Sequence, residues 1–178
     1  IFMWKNKIPA KKWIDIPVDC TDILPTLVSI AGGDPNEIIE KYNLDGKNFM
    51  GLFNDNKNLT KSYMKTTRYW HYPFNVIYNN PLEPLPLTPH SAIRDGDYKL
   101  IFDWYGRFHL FDISKDPYEK NNLYLQKLEL SNQLFQKLML WLKNNVDKRY
   151  WPTRNKNYIK KNEIRNQQFE NLFSEFLE

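Results

Sequence analysis

One cysteine, Cys20, occurs in the 178 residues, so neither an intrachain disulfide nor a cysteine-based metal site can form. A single thiol leaves the redox compartment undetermined. No apolar run approaches the length of a membrane-spanning helix. The sequence opens on Ile1-Phe-Met-Trp4, with no initiator methionine and no basic-then-apolar leader, so a secretion signal is not visible. That opening reads as the end of a strand, and the expectation is a fragment or processed piece of a longer protein. Charge of one sign is also missing: 25 basic residues stand against 21 acidic ones, a net +4. The sequence pI is about 9.0, but the basic residues are scattered, and a nucleic-acid binder concentrates them. Only Lys156 to Arg165 is dense, in a polar stretch that reads as a solvated tail. No nucleic-acid partner is therefore expected.

Local catalytic motifs are absent as well. There is no glycine-rich phosphate loop, no serine-centred nucleophile elbow and no paired CxxC. The three histidines, His71, His90 and His109, have no metal-ligand spacing. No catalytic residue and no metal ligand is assigned within the chain.

What is present can fill a core: 42% of residues are hydrophobic and 16% aromatic. Asp22 or Thr21 can cap a helix with apolar positions Ile23, Leu24, Leu27, Val28 and Ile30, ended by Gly32-Gly33. Pro25 is tolerated in its first turn. Pro35 to Tyr42 reads as a second short helix. Leu44-Asp-Gly begins with a turn, Phe49 to Phe53 suits one helical turn, and Asn54 to Lys61 reads as loop. Ser62 to His71 has strand character through Tyr63, Thr66, Thr67, Tyr69 and Trp70. Pro81 to Pro89 holds four prolines in nine residues and is a stiff connector.

Then comes a strand, a turn and a strand, Ser91-Ala-Ile-Arg-Asp-Gly-Asp-Tyr-Lys-Leu-Ile101. With Asp95-Gly96 as a two-residue loop, Arg94 lies opposite Asp97 and Ile93 opposite Tyr98. Ile93, Tyr98, Leu100 and Phe102 then share a face. Arg107 to Ile113 is a further strand after a turn at Tyr105-Gly106. Leu128 to Val146 carries helical spacing at Leu128, Leu134, Phe135, Leu138, Trp141, Leu142 and Val146. The sum is an α+β layer, a roughly four-stranded antiparallel sheet packed by one long helix. Residues 151–178 form a polar extension whose Phe169, Leu172, Phe173, Phe176 and Leu177 have the spacing of a terminal helix.

The polar run Asp116-Pro-Tyr-Glu119 with Asn122-Leu123 reads as a structural turn from strand to helix, because Asp and Asn bind local backbone and proline fixes φ. Asp95 and Asp97, on a turn, read as solvated. Binding side chains favour strand ends that open into loops. His71 ends a strand in Tyr69-Trp-His-Tyr-Pro73, and His90 follows the proline connector, so both can approach one region; the bland alternative is a pair of hydrogen-bonded or surface histidines. His109 lies inside a strand and reads as packed or solvent-facing.

Taken in order, these strings resemble the C-terminal portion of the type I (arylsulfatase-like) sulfatases. Ile16-Pro-Val-Asp-Cys-Thr-Asp-Ile-Leu-Pro-Thr-Leu27 with Ala31-Gly32 is similar to that family's strand and Asp-x-x-Pro-Thr-Leu helix. Leu44-Asp-Gly-Lys-Asn48 resembles its Leu-Asp-Gly-x-Ser turn, with Asn48 in place of serine. Tyr69-Trp-His-Tyr-Pro73 resembles a His-Tyr-Pro string of polysaccharide-type members. The hairpin, Leu110-Phe-Asp-Ile113, Asp116-Pro-Tyr-Glu-Lys-Asn-Asn-Leu123 and Tyr150-Trp-Pro-Thr-Arg-Asn155 complete the likeness over residues 1–158.

The resemblance implies an alkaline-phosphatase-like α/β parent. Residues 1–60 would end its large domain, 61–150 would form the small sheet-and-helix subdomain, and 151–178 a polar extension. It implies hydrolysis of sulfate esters, sulfated saccharides above all, by a formylglycine nucleophile with bound calcium. Both would lie upstream of Ile1, since Cys20 is followed by Thr-Asp-Ile-Leu and lacks the motif's proline and arginine. The chain alone would be inactive and would have the N-terminal catalytic part as its partner. Its expected contribution is substrate-cleft wall, with His71, Tyr72, His90 and Arg94 as substrate-binding residues. A periplasmic or secreted location is implied by the family only. The alternatives are a non-catalytic module that binds sulfated glycan and, within the wider superfamily, a hydrolase of phosphate or phosphonate esters.

Overall fold

The computed structural model describes residues 1–74, 89–104 and 106–153. They form two compact units, Ile1–Thr66 and the part from Thr67 onward.

The first unit holds α1 (Ile23–Ile30), α2 (Pro35–Tyr42) and α3 (Lys57–Met64), with one turn of 3₁₀ helix (Cys20–Asp22) leading into α1 and another (Met50–Asn54) between α2 and α3. Asp19 starts the first of these. Its carboxylate accepts from the Thr21 amide, and Asp22 returns the bond by accepting from the Asp19 amide at 2.9 Å, a reciprocal cap. Asp22 has a second task. Its other carboxylate oxygen accepts from the Lys47 amide at 2.7 Å. One turn on, the Thr26 hydroxyl donates to the Asp22 carbonyl and accepts from the Phe49 amide at 3.0 Å. The Asp22-x-x-Pro25-Thr26 and Leu44-Asp-Gly-Lys-Asn48 strings are therefore two halves of one clasp. The Asn48 side chain accepts from the Met50 amide at 2.9 Å, a local side-chain turn just before the next 3₁₀ helix.

Expected helices α1 and α2 are present. Gly32 ends α1 with φ +87°, and Asn43 ends α2 in the left-handed region with φ +48°, as C-terminal caps do. Two expectations are corrected. Ile1 to Trp4 has no strand pairing. Residues 57–64, expected as loop running into strand, form α3 instead. Asn56 explains the change: its side chain accepts from the Leu59 amide at 3.1 Å and nucleates the helix. Burial then overrides the strand preference of Tyr63, which is 1% exposed beside Phe49, Leu52 and Phe53.

The second unit is an antiparallel sheet of β1 (Arg68–Tyr72), β2 (His90–Asp95), β3 (Tyr98–Asp103) and β4 (Arg107–Asp112), in sequence order. The 18-residue helix α4 (Leu128–Asn145) lies across it. Ile93, Leu100, Phe102, Phe108 and Leu110 alternate onto the helix-facing side and meet Leu134, Phe135, Leu138, Met139 and Leu142. Gln133, Gln136, Lys137, Lys143 and Asn144 are exposed, as the helical period requires.

The hairpin register differs from expectation by one position on each strand. Asp95 faces Tyr98 and Ile93 faces Leu100, so the loop is Gly96-Asp97. Gly96 has φ +59° and Asp97 is not in the positive-φ region. That is the pattern of a turn wanting glycine at its first central position, rather than positive φ at both. Because one residue moves on each side, alternation survives, and Ile93, Tyr98, Leu100 and Phe102 still share a face.

After β4 the Asp116 carboxylate accepts from the Asn121 amide at 2.7 Å, which holds its pKa below the ordinary value. The Asn122 side chain accepts from the Leu110 and Tyr124 amides and donates to the Phe108 carbonyl. This run is a backbone clamp on the edge of β4. The proline-rich connector, except Pro89, and the apolar-spaced tail at 169–177 lie outside the described residues.

Candidate functional site

Alternation sorts the histidines onto opposite faces. His71 is on the α4 side with Tyr69, while Tyr72 is on the other. Tyr72 pairs with His90, and His71 pairs with Ser91. The rings of Tyr72 and His90 stack with centroids 5.4 Å apart, and Phe74 sets its ring edge against Tyr72 at 5.7 Å. Phe74 is more than half exposed, so this end of β1 and β2 presents an aromatic and imidazole surface.

His71 is partly buried, and both of its ring nitrogens are engaged. Its Nε2 lies 2.8 Å from the Tyr150 carbonyl and its Nδ1 2.8 Å from Ser91 Oγ. A carbonyl only accepts, so the proton sits on Nε2 and Nδ1 must accept from the Ser91 hydroxyl. Trp104 Nε1 donates to the same hydroxyl at 3.0 Å. The chain of donors is thus Trp104 to Ser91 to His71 to Tyr150, with Ser91 wholly buried. Both His71 nitrogens are in use, and one of them anchors the backbone 79 residues on.

Burial, the largest influence, pushes the His71 pKa down, with the nearby His90 adding to it and the Tyr150 bond opposing. His109, half-buried on the opposite face, is pushed down by burial and by Arg107. The linkage sign follows. An unfolded imidazole takes up its proton near pH 6.5, whereas these two resist it when folded. Below about pH 6.5 the unfolded state binds more protons, so stability falls as pH drops toward the depressed native values and is level above that window. His71→Gln should make the loss of stability between pH 7 and 5.5, measured by urea unfolding, clearly shallower. An unchanged slope would remove His71 from this account.

Arg94 does not join the others. It stands four residues from His90, roughly 13 Å along the strand, and its Nε donates to the Gly96 carbonyl. It lies between Arg68 and Lys99 on the neighbouring strands, and Lys99 pairs with Glu119 at 2.6 Å. The geometry thus brings together Tyr72 and His90, places His71 behind them and leaves Arg94 at the far end. Phe74, Ser91 and Trp104 were not anticipated. Strand parity offered a signal for Ser91, two residues from core-facing Ile93; nothing local marked Tyr150.

Among the described residues no group of three or more His, Cys, Asp or Glu is placed to hold a metal ion. Cys20 is exposed, and its thiol pKa is raised by the hydrogen bond to Asp19 and that residue's charge, the reverse of what an activated thiolate needs.

The model of the family "N-sulphoglucosamine sulphohydrolase, C-terminal" matches residues 1–148. The chain belongs to that family. Solved structures agree on the fold. Ps i-CgsB is 23% identical with a TM-score of 0.60, over 84% of this chain and 29% of that one. The same protein in complex with k-i-k-neocarrahexaose gives 22% and 0.61, over 85% and 30%. The putative sulfatase yidJ from Bacteroides fragilis is 25% identical with a TM-score of 0.51, over 84% and 30%. No curated protein matches. The chain spans about 30% of the length of these structures and has the fold of the C-terminal portion of a sulfatase, as its sequence strings suggested.

Proposed function

We propose that this chain is the C-terminal portion of a sulfuric-ester hydrolase acting on sulfated saccharides, and that it forms scaffold and one wall of the substrate cleft. The observation that carries the reading is the family match over residues 1–148, which spans elements of both units. A neighbour of the same fold binds a neocarrahexaose, which supports a saccharide as substrate. In this reading formylglycine supplies the nucleophile and calcium the charge stabilisation, both in the catalytic portion outside these residues. The protein is periplasmic or secreted.

Within the chain, Tyr72 and His90 are the contact pair. Their stacked rings, edged by Phe74, present a flat amphipathic surface with a polar rim, which suits a sugar ring. His71 is a positioning residue: it fixes β1 against Ser91 and holds the Tyr150 carbonyl, setting where Tyr72 stands. Arg94 contributes only to a ligand long enough to run the length of β2.

The test is kinetic, on the protein that includes the catalytic portion, with a sulfated oligosaccharide. Tyr72→Ala and His90→Ala should each lower kcat/KM about tenfold, roughly 1.4 kcal/mol of transition-state binding, chiefly through KM. Unchanged kcat/KM in both would remove this pair from the cleft. Hydrolysis by the 178-residue chain alone would contradict the assignment of the nucleophile to another part of the protein.

A further inference from the structure

Beyond α4 the chain turns back toward the sheet in a short segment, residues 146–151. Hydrogen bonds inside the segment are local. The Asp147 carboxylate accepts from the Arg149 amide at 2.9 Å and pairs with the Arg149 guanidinium at 3.0 Å. The Tyr150 amide donates to the Asp147 carbonyl, and Trp151 Nε1 donates to the Val146 carbonyl at 3.1 Å. Contact with the sheet comes from two rings. Trp151 meets Trp104 edge-on with centroids 5.6 Å apart, and His71 Nε2 donates to the Tyr150 carbonyl. This arrangement requires a neutral His71. Nδ1 accepts from the Ser91 hydroxyl, which accepts in turn from Trp104 Nε1. A proton added at Nδ1 would make it a donor. The Ser91 hydroxyl would then face two donors, and its own hydrogen would lose its acceptor in a site closed to water. A buried donor without an acceptor is destabilising. Charge would strengthen the bond to Tyr150, but Tyr150 is more than half exposed, so water competes for that carbonyl. The ring cannot turn out of this position without giving the Tyr150 bond up.

We propose that His71 is a proton-operated latch: neutral, it holds residues 146–151 against the sheet, and a proton taken from solvent at Nδ1 releases them. The latch needs only contacts inside the second unit and is independent of the hydrolase reading. Charges around the ring agree with it. From β2, His90 opposes a positive charge on His71. In the segment, Asp147 is engaged with Arg149, and Lys148 between them is exposed. Lys143, on the last turn of α4, brings positive charge only. Asp103, which ends β3, pairs across the strands with His90 on the other face of the sheet and is bridged to Arg107. None of these carboxylates is placed to stabilise an imidazolium at His71. The direction follows from linkage. A released imidazole takes up its proton near pH 6.5, while in the closed form burial holds the value lower. Opening therefore increases as pH falls below about 6.5, by up to about tenfold per pH unit, until the closed form's own value is reached. Above that window it is level.

The experiment is limited trypsin digestion of the full chain at roughly pH 7.5 and 5.5, on either side of the free imidazole value. Lys148 and Arg149 lie within the segment, and a protease cuts backbone that has opened. Each rate is divided by that of a synthetic peptide of residues 144–156 at the same pH, which removes the pH dependence of trypsin itself. Cleavage after Lys148 and Arg149 should rise severalfold toward the lower pH, while cleavage after Lys99, inside the sheet, stays slow. His71→Gln should flatten the profile. His109→Gln, on the opposite face, should leave the slope as it is. A flat wild-type profile, or a slope that survives His71→Gln, would overturn the latch. So would parallel cleavage after Lys99, which means that the whole sheet opens. Where His71→Gln does not fold, the wild type decides by NMR. The indole N–H signals of Trp104 and Trp151 should move over the pH window in which the His71 ring titrates, and signals that stay in place while it titrates would overturn the latch as well.

Discussion

Phe102→Ala should lower unfolding free energy by about 3–5 kcal/mol, the usual cost of truncating a buried phenylalanine. Phe102 is wholly buried, with ring centroids at 5.0 Å from Phe108, 5.0 Å from Phe135 and 5.4 Å from Trp104. Phe108 and Phe135 are themselves edge-to-face at 4.8 Å, so the cavity would open inside a ring cluster with little freedom to collapse. Urea unfolding followed by tryptophan fluorescence gives the number, and Phe102→Leu should recover most of it by refilling the volume. A loss under about 1 kcal/mol would mean that the cluster rearranges freely, against the close packing that such interiors show.

Gly46→Ala should be comparably severe, on the order of 3–5 kcal/mol, in the tail reserved for strain and broken networks. Left-handed backbone is not the reason, since Gly46 is not among the positive-φ residues. A Cβ built there would overlap the carbonyl of Thr21, a backbone group that cannot swing away. Moving this segment clear would pull the Lys47 amide from Asp22 and the Phe49 amide from Thr26. It would also strain the bond from the Tyr63 hydroxyl to the Lys47 carbonyl at 2.8 Å. Amide hydrogen exchange should show protection at Lys47 and Phe49 lost in the variant. Wild-type protection at both amides would refute the clasp. From the sequence, Asp45-Gly46 looked like a turn; the glycine is instead required by close approach.

Comparing these two residues shows how legibility divides. Phe102 was placed on its buried face from alternation alone, because strand period survives a register shift taken equally on both strands. The type of Gly46 points to a turn, whereas its reason is a close approach, because its partner Thr21 is 25 residues away. The same division runs through the helices. Helix α4 was legible over all its length from its apolar period. Helix α3 is not legible in the sequence, since Tyr63, Thr66 and Thr67 favour a pleated surface and the cap at Asn56 has no apolar period behind it. At the candidate site the residue types were visible at strand ends, and their grouping was not. Tyr72 meets His90 only because β1 and β2 pair across the intervening residues 73–89. Both ring nitrogens of His71 are occupied, one of them by a carbonyl 79 residues on.

By itself, then, the sequence determined the α+β layer, the hairpin and helix faces, and the family, because these rest on local periods, turn chemistry and ordered strings. Only the tertiary structure decided the hairpin register, the Asp22–Thr26 clasp and which histidine faces outward. Those depend on long-range hydrogen bonds and close approaches, whose partners no local pattern specifies.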